Sequence, residues 1–159
     1  MPTFQHILVP TDFGDISSRA VDRAIDLARD LDAKVTLLHV TPMPPYYYAA
    51  YAEGLAWPTD ELEVAARSEL DAALAAAKER YAKVDAVLLT GAPRVQIVEA
   101  IGEQKADLVV MGTHGRRGFK RFMLGGVTER FMRMARCHVL LVSSSAESTG
   151  DAPLEKASS

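Results

Sequence analysis

The sequence predicts an α/β fold: a single doubly wound domain, a five-stranded parallel sheet with helices on both faces. Three observations point there. Short apolar runs, each bounded by turn residues, recur along the chain in the manner of strands buried on both faces. Segments of helical period separate them, which is the alternation expected of βαβ units. The loop richest in glycine follows a strand and leads into a helix, where such sheets place their sites.

Each element has its own signal. Gln5–Pro10 (QHILVP) is a strand closed by proline. After Thr11-Asp12-Phe13-Gly14 a helix begins, with Asp15 or Ser17 available as its cap. Ile16, Ala20, Ala24 and Ala28, with Val21, Ile25 and Leu31, line one side of it to about Leu31. Ala33–Val40 is the second strand, rich in β-branched and aliphatic residues. Thr41–Pro58 then breaks all periodicity. With four prolines, Tyr46, Tyr47, Tyr48, Tyr51 and Trp57, it is expected to be a long irregular loop serving as lid, subunit contact or plain surface.

An alanine-rich helix is expected from Thr59 to about Ala82, with Leu62, Ala66, Leu70, Ala73, Leu74, Ala77 and Tyr81 on one side. Val84–Thr90 is the third strand. Gly91-Ala92-Pro93 opens the next helix, proline suiting a first turn, with Val95, Val98 and Ile101 facing inward. Asp107–Met111 is the fourth strand, Val127–Ala135 a helix with Val127, Phe131 and Met134 on one face, and His138–Val142 the last strand. The domain is expected over residues 1–145, with 146–159 a polar, disordered tail.

Composition narrows the function. The chain has 159 residues, enough for one core and too few for two. A net charge of −3 provides no general attraction to nucleic acid or to an anionic membrane, so neither is expected as a partner. No apolar run reaches the roughly 20 residues of a membrane helix. The absence of a secretory signal and a lone cysteine, Cys137, point to a reducing, cytoplasmic setting. His6, His39 and His138 lie in strands without paired metal-ligand spacing, so no metal site is expected of them, and Cys137 is expected to be a packed thiol.

Chemistry concentrates in one loop. Gly112-Thr113-His114-Gly115-Arg116-Arg117-Gly118 follows a strand, and Gly125-Gly126 introduces the next helix. Glycines allow close backbone approach to an anion. The helix N-terminus then offers N–H groups and a favourable dipole. Arg116, Arg117, Lys120 and Arg121 add positive charge. This is a phosphate site by its ingredients, but neither a Walker loop nor the dinucleotide fingerprint, since the required Lys-Ser/Thr and the glycines after the first strand are lacking.

The spacing Gly112-x2-Gly115-x9-Gly125 resembles the ATP-binding motif of the universal stress protein family. Ile7–Asp12 (ILVPTD), Val110–Gly118 (VMGTHGRRG) and Arg136–Val142 (RCHVLLV) are similar to the family's wording in the same order, and the likeness spans about residues 4–143. The resemblance implies strand order 3-2-1-4-5 in an adenine nucleotide alpha hydrolase-like arrangement. It further implies a stress-response protein that binds ATP, ADP or AMP, and a homodimer; magnesium or manganese is expected only with the nucleotide, held mainly by its phosphates and water.

Position by position, it places Pro10, Thr11 and Asp12 on the adenine and ribose side and Val40 against the adenine. Met111 and Gly112 lie beneath the nucleotide, and His114, Gly115 and Gly125 meet the phosphates, with N–H groups from Gly126 and Val127; Arg116 is counted with the nucleotide-binding residues for its charge in the same loop. Gly126 departs from the pattern, standing where a hydroxyl residue is usual. The missing hydrogen bond to a charged acceptor is worth about 1.5–3 kcal/mol.

The loops contain no nucleophile and base pair, so a regulatory nucleotide binder is expected rather than a dedicated catalyst. Two alternatives stand beside it: a slow ATPase or phosphotransferase using Asp12 or His114, and a dimeric interaction protein in which Gly126 marks lost binding. The apolar last strand, if it forms a sheet edge, gives the dimer a physical reason through pairing with its own copy.

Overall fold

The computed structural model describes residues 3–43, 45–55, 59–113 and 131–143. Along the chain run β1 (His6–Pro10), α1 (Asp15–Leu31), β2 (Lys34–Pro42), α2 (Pro45–Ala52), α3 (Thr59–Arg80), β3 (Val84–Gly91), α4 (Pro93–Gln104), β4 (Leu108–Gly112) and β5 (His138–Val142). All strand pairs are parallel, in the order β3-β2-β1-β4-β5. Helical residues 131–134 precede β5. The expected tail and the first part of the expected Val127–Ala135 helix lie outside the described residues.

Because neighbouring strand residues face opposite sides, each run feeds two cores. Ile7 and Val9 join Val35, Leu37 and Val110 under α1 and α3, where Ala20, Ala24 and Ala28 let α1 lie close to the sheet. Leu8, Leu38, Val109 and Met111 face the other way, against Ile97 and Ala100 of α4 and the fully buried Phe131. Residues in the left-handed region end two helices, Asp32 (φ 55°) after α1 and Lys105 (φ 52°) after α4. Each turns the chain directly into the next strand.

Four local expectations change. Residues Pro45–Ala52 form a helix inside the stretch expected to be irregular. Proline starts it, alanines favour it, and Gly54 (φ 74°) ends it, with Leu55 N donating to Ala50 O at 2.9 Å. Tyrosine and alanine follow one another without an apolar stripe, so periodicity could not reveal it. In α3, Ala66, Leu70 and Ala77 are buried but Leu62 is 48% exposed, as the first turns lie beyond the packed region. In α4 the inward face is set by Ile97 and Ala100, and Val95, two residues (about 200°) around the helix from Ile97, is 38% exposed. Met134, expected beside Phe131, is exposed.

The amino-terminal edge of the sheet is closed by polar groups. Both carboxylate oxygens of Asp107 accept backbone N–H bonds, from Gln5 at 2.8 Å and His6 at 3.0 Å, fastening the start of β4 to the start of β1. His6 Nδ1 donates to the Gln104 carbonyl at the end of α4 (2.7 Å), and its Nε2 lies 2.8 Å from Thr36 Oγ1. Thr36, fully buried, donates to Asp85 (2.6 Å), which also pairs with Lys34 (2.7 Å). Burial pushes the Asp85 carboxyl up, but hydrogen bonds from Lys34 and Thr36 and the charges of Lys34 and His6 outweigh it and hold the group below its ordinary value.

Candidate functional site at the carboxyl edge

At the opposite edge the strand order reverses. β1 has β2 on one side, with the next strand in sequence, and β4 on the other. α1, which follows β1, packs on one face of the sheet, and Phe131, shortly before β5, packs on the other; a reversal of this kind is where open α/β sheets bind ligands. Leu8 registers with Val109, and Pro10 with Leu38, so β1 and β4 end side by side while β2 runs on past them to Pro42. Pro10, Thr11, Asp12, Val40, Met111 and Gly112 are thereby gathered at one edge by three strands, although more than a hundred positions separate the first from the last. Val40 and Met111 are both buried on the α4 side.

The loop after β1 is built from its own side chains. Thr11 N still donates to Leu38 O (2.8 Å), one residue past the strand. Thr11 Oγ1 accepts from Phe13 N (3.1 Å), and Asp12 Oδ1 accepts from Gly14 N (2.9 Å) and from Ser17 Oγ (2.8 Å). Gly14 is the N-cap of α1 and makes no side-chain cap bond. The cap expected from Asp15 or Ser17 is replaced by an Asx turn of Asp12, with Ser17 as its partner inside the helix. Phe13 sits in the left-handed region (φ 62°), a conformation that costs a residue of this kind about 1–2 kcal/mol. The His39 ring meets it, centroids 4.4 Å apart and tilted by 32°, and His39 Nδ1 donates to the Thr11 carbonyl at 2.7 Å.

On the other lip, glycine is a steric requirement. A Cβ on Gly112 would stand 2.6 Å from Ile16 Cγ2 and 3.4 Å from the Ile16 backbone carbon. The end of β4 thus lies directly on the first turn of α1, bringing it beside the Asp12 loop. Thr113, buried, continues the strand ladder by donating from its N–H to Val142 O at 3.0 Å. At the end of β2, Thr41 Oγ1 is buried without a hydrogen-bond partner among the described residues.

His114, Gly115, Arg116, Gly125, Gly126 and Val127, the phosphate side of the expected site, lie outside the described residues. Among the described residues no three His, Cys, Asp or Glu side chains gather as metal ligands. Cys137 is half-buried, and burial first, then the Asp107 charge, raises its thiol above the ordinary value, which disfavours the reactive thiolate. Residue patterns alone missed Phe13, Ile16, Ser17 and His39 as builders of the site. The signal for Ser17 was its spacing from Asp12; His39 carried none, being one histidine in an apolar strand.

The profile described as the Universal stress protein family matches residues 3–143. A universal stress protein of Methanocaldococcus jannaschii is 36% identical over 141 residues, covering 87% of this chain and 82% of that protein. A crystal structure of a universal stress protein in complex with cAMP is 31% identical, with a TM-score of 0.62 over 87% of this chain and 96% of that one. The universal stress protein from Archaeoglobus fulgidus in complex with dAMP shares the fold, at 22% identity and a TM-score of 0.64 over 89% of this chain and 99% of that one.

Proposed function

The chain belongs to the universal stress protein family, and on that footing we propose that its carboxyl-edge crevice binds an adenine nucleotide and that the bound form regulates a partner. The observation that carries the reading is the contact of Gly112 with Ile16. It brings the end of β4 onto the first turn of α1, next to the Asp12 loop, at the point where the strand order reverses. The buried Thr41 hydroxyl at the same edge is a polar group of the kind a ligand can satisfy. A relative of known structure at 31% identity holds cAMP, a nucleotide with the same base.

In this reading Pro10, Thr11, Asp12 and Val40 serve the base and ribose, and Met111 and Gly112 form the floor. His114, Gly115, Arg116, Gly125, Gly126 and Val127 serve the phosphates. ATP is the first candidate, with magnesium or manganese held by its phosphates and by water. Calorimetric titration with ATP, ADP, AMP and cAMP, with and without magnesium, tests it. Micromolar binding that Gly115→Val weakens is expected, and Gly126→Ser should tighten it about tenfold or more by supplying a hydroxyl to a charged acceptor. Absence of heat with every nucleotide at millimolar concentration would overturn the reading.

The protein is proposed to act in the cytoplasm as a homodimer. Among the described residues β5 ends the sheet, and His138 and Leu140 on it are exposed, so pairing with a second copy across a two-fold would cover that edge. Leu140→Lys should shift the species seen by light scattering toward monomer.

A further inference from the structure

Resting on the nucleotide reading, we infer that His39 is a positioning residue of the site, holding the peptide between Thr11 and Asp12 so that Asp12 faces the ligand. The bonds from Phe13 N to Thr11, and from Gly14 N and Ser17 to Asp12, curl the loop on itself but leave its aim to whatever ties it to the sheet. His39 is such a tie. It belongs to β2, whose Leu38 and Val40 neighbours face the opposite core, and it reaches the Thr11 carbonyl, just past the end of the adjoining β1, at 2.7 Å. That carbonyl belongs to the same planar peptide as the Asp12 nitrogen, so fixing it fixes the direction in which Asp12 leaves the chain.

The same ring supports Phe13 at 4.4 Å, the residue whose left-handed conformation reverses the loop. One imidazole therefore bears on both sides of Asp12. The acceptor is a carbonyl, so the neutral ring carries its proton on Nδ1.

The variants follow from that atom. His39→Asn places an amide N–H where Nδ1 stands; His39→Gln places it one carbon farther out; His39→Leu removes it. ATP affinity should weaken about fivefold in His39→Leu and His39→Gln, the equivalent of one ordinary hydrogen bond, and return to near the native value in His39→Asn. Equal weakening in Asn and Gln, or native affinity in Gln, overturns the assignment, and this pair decides the matter even where His39→Leu fails to fold.

A ligand-free measurement separates this failure from that of the nucleotide reading. Amide hydrogen exchange at Phe13 and Gly14 should speed up in His39→Gln and not in His39→Asn. If native protein binds no nucleotide, the nucleotide reading falls while exchange still judges the hold of His39 on the loop. Unchanged exchange in His39→Gln overturns that hold. The ring's nitrogen spectrum should also show the Nδ1-protonated tautomer, and an Nε2-protonated neutral ring would overturn the bond itself.

Discussion

The two edges of the sheet use polar residues in opposite ways. At the amino-terminal edge Asp107, His6, Thr36, Asp85 and Lys34 satisfy one another and the backbone around them, across β1, β2, β3 and β4. At the carboxyl edge Thr11, Asp12, Ser17 and His39 shape a loop, Gly112 gives up a side chain for close approach, and Thr41 keeps a buried hydroxyl without a partner among the described residues. A closed polar network stabilises and specifies a fold. An edge with shaped backbone and a hydroxyl unpartnered among the described residues fits the proposed ligand site. The difference teaches that polar density alone does not locate a site.

The largest effect is expected from Asp107→Ala. It removes two bonds to a charged acceptor and should cost about 3 kcal/mol in urea unfolding while leaving ATP affinity within twofold, because it breaks only the closed edge. A loss of affinity as large as the loss of stability would mean that the two edges are not separate. Next comes Gly112→Ala, whose Cβ meets a β-branched side chain in a helix that has little room to turn away. A cost of about 1–3 kcal/mol is expected from this overpacking, now together with a loss of nucleotide binding. The double variant Ile16→Ala/Gly112→Ala should recover part of the stability, and simple additivity of the two would deny the contact.

The strands were legible in the sequence and the closed amino-terminal edge was not, for physical reasons. Apolar runs such as Ile7–Val9 and Leu108–Met111 are buried on both faces, so composition alone marked them as parallel strands. Glycine and proline marked the carboxyl edge, and the resemblance in Ile7–Asp12 and Val110–Gly118 implied the residues proposed to serve a ligand there. What could not be read depends on distant partners. The hold of His39 on Thr11 exists only once β2 lies beside β1, and Asp107 gives no hint of Gln5 from a hundred positions away. Helix α2 escaped because its residues repeat without an apolar stripe, and Leu62 and Val95 misled because periodicity assigns a face without saying where the neighbouring layer ends.

The smallest effects sharpen the closed edge. Thr36→Val keeps shape but removes the hydroxyl between His6 and Asp85, and should cost about 1 kcal/mol with no change at the nucleotide. Its stronger signature is in the pH dependence. Asp85 is held below its ordinary carboxylate value when folded, so it binds protons less readily there than in the unfolded chain. Its stabilising contribution is therefore fully present above the unfolded carboxylate value and is lost as pH falls through the lower folded one. Because Lys34 as well as Thr36 lowers it, Thr36→Val should move the acid limb of stability only part of the way toward higher pH, and Asp85→Asn should remove that component altogether. Urea unfolding between neutral and acid pH measures all three proteins. Superimposable acid limbs for native protein and Asp85→Asn would show that this carboxylate, half open to water, contributes nothing to the closure of its edge.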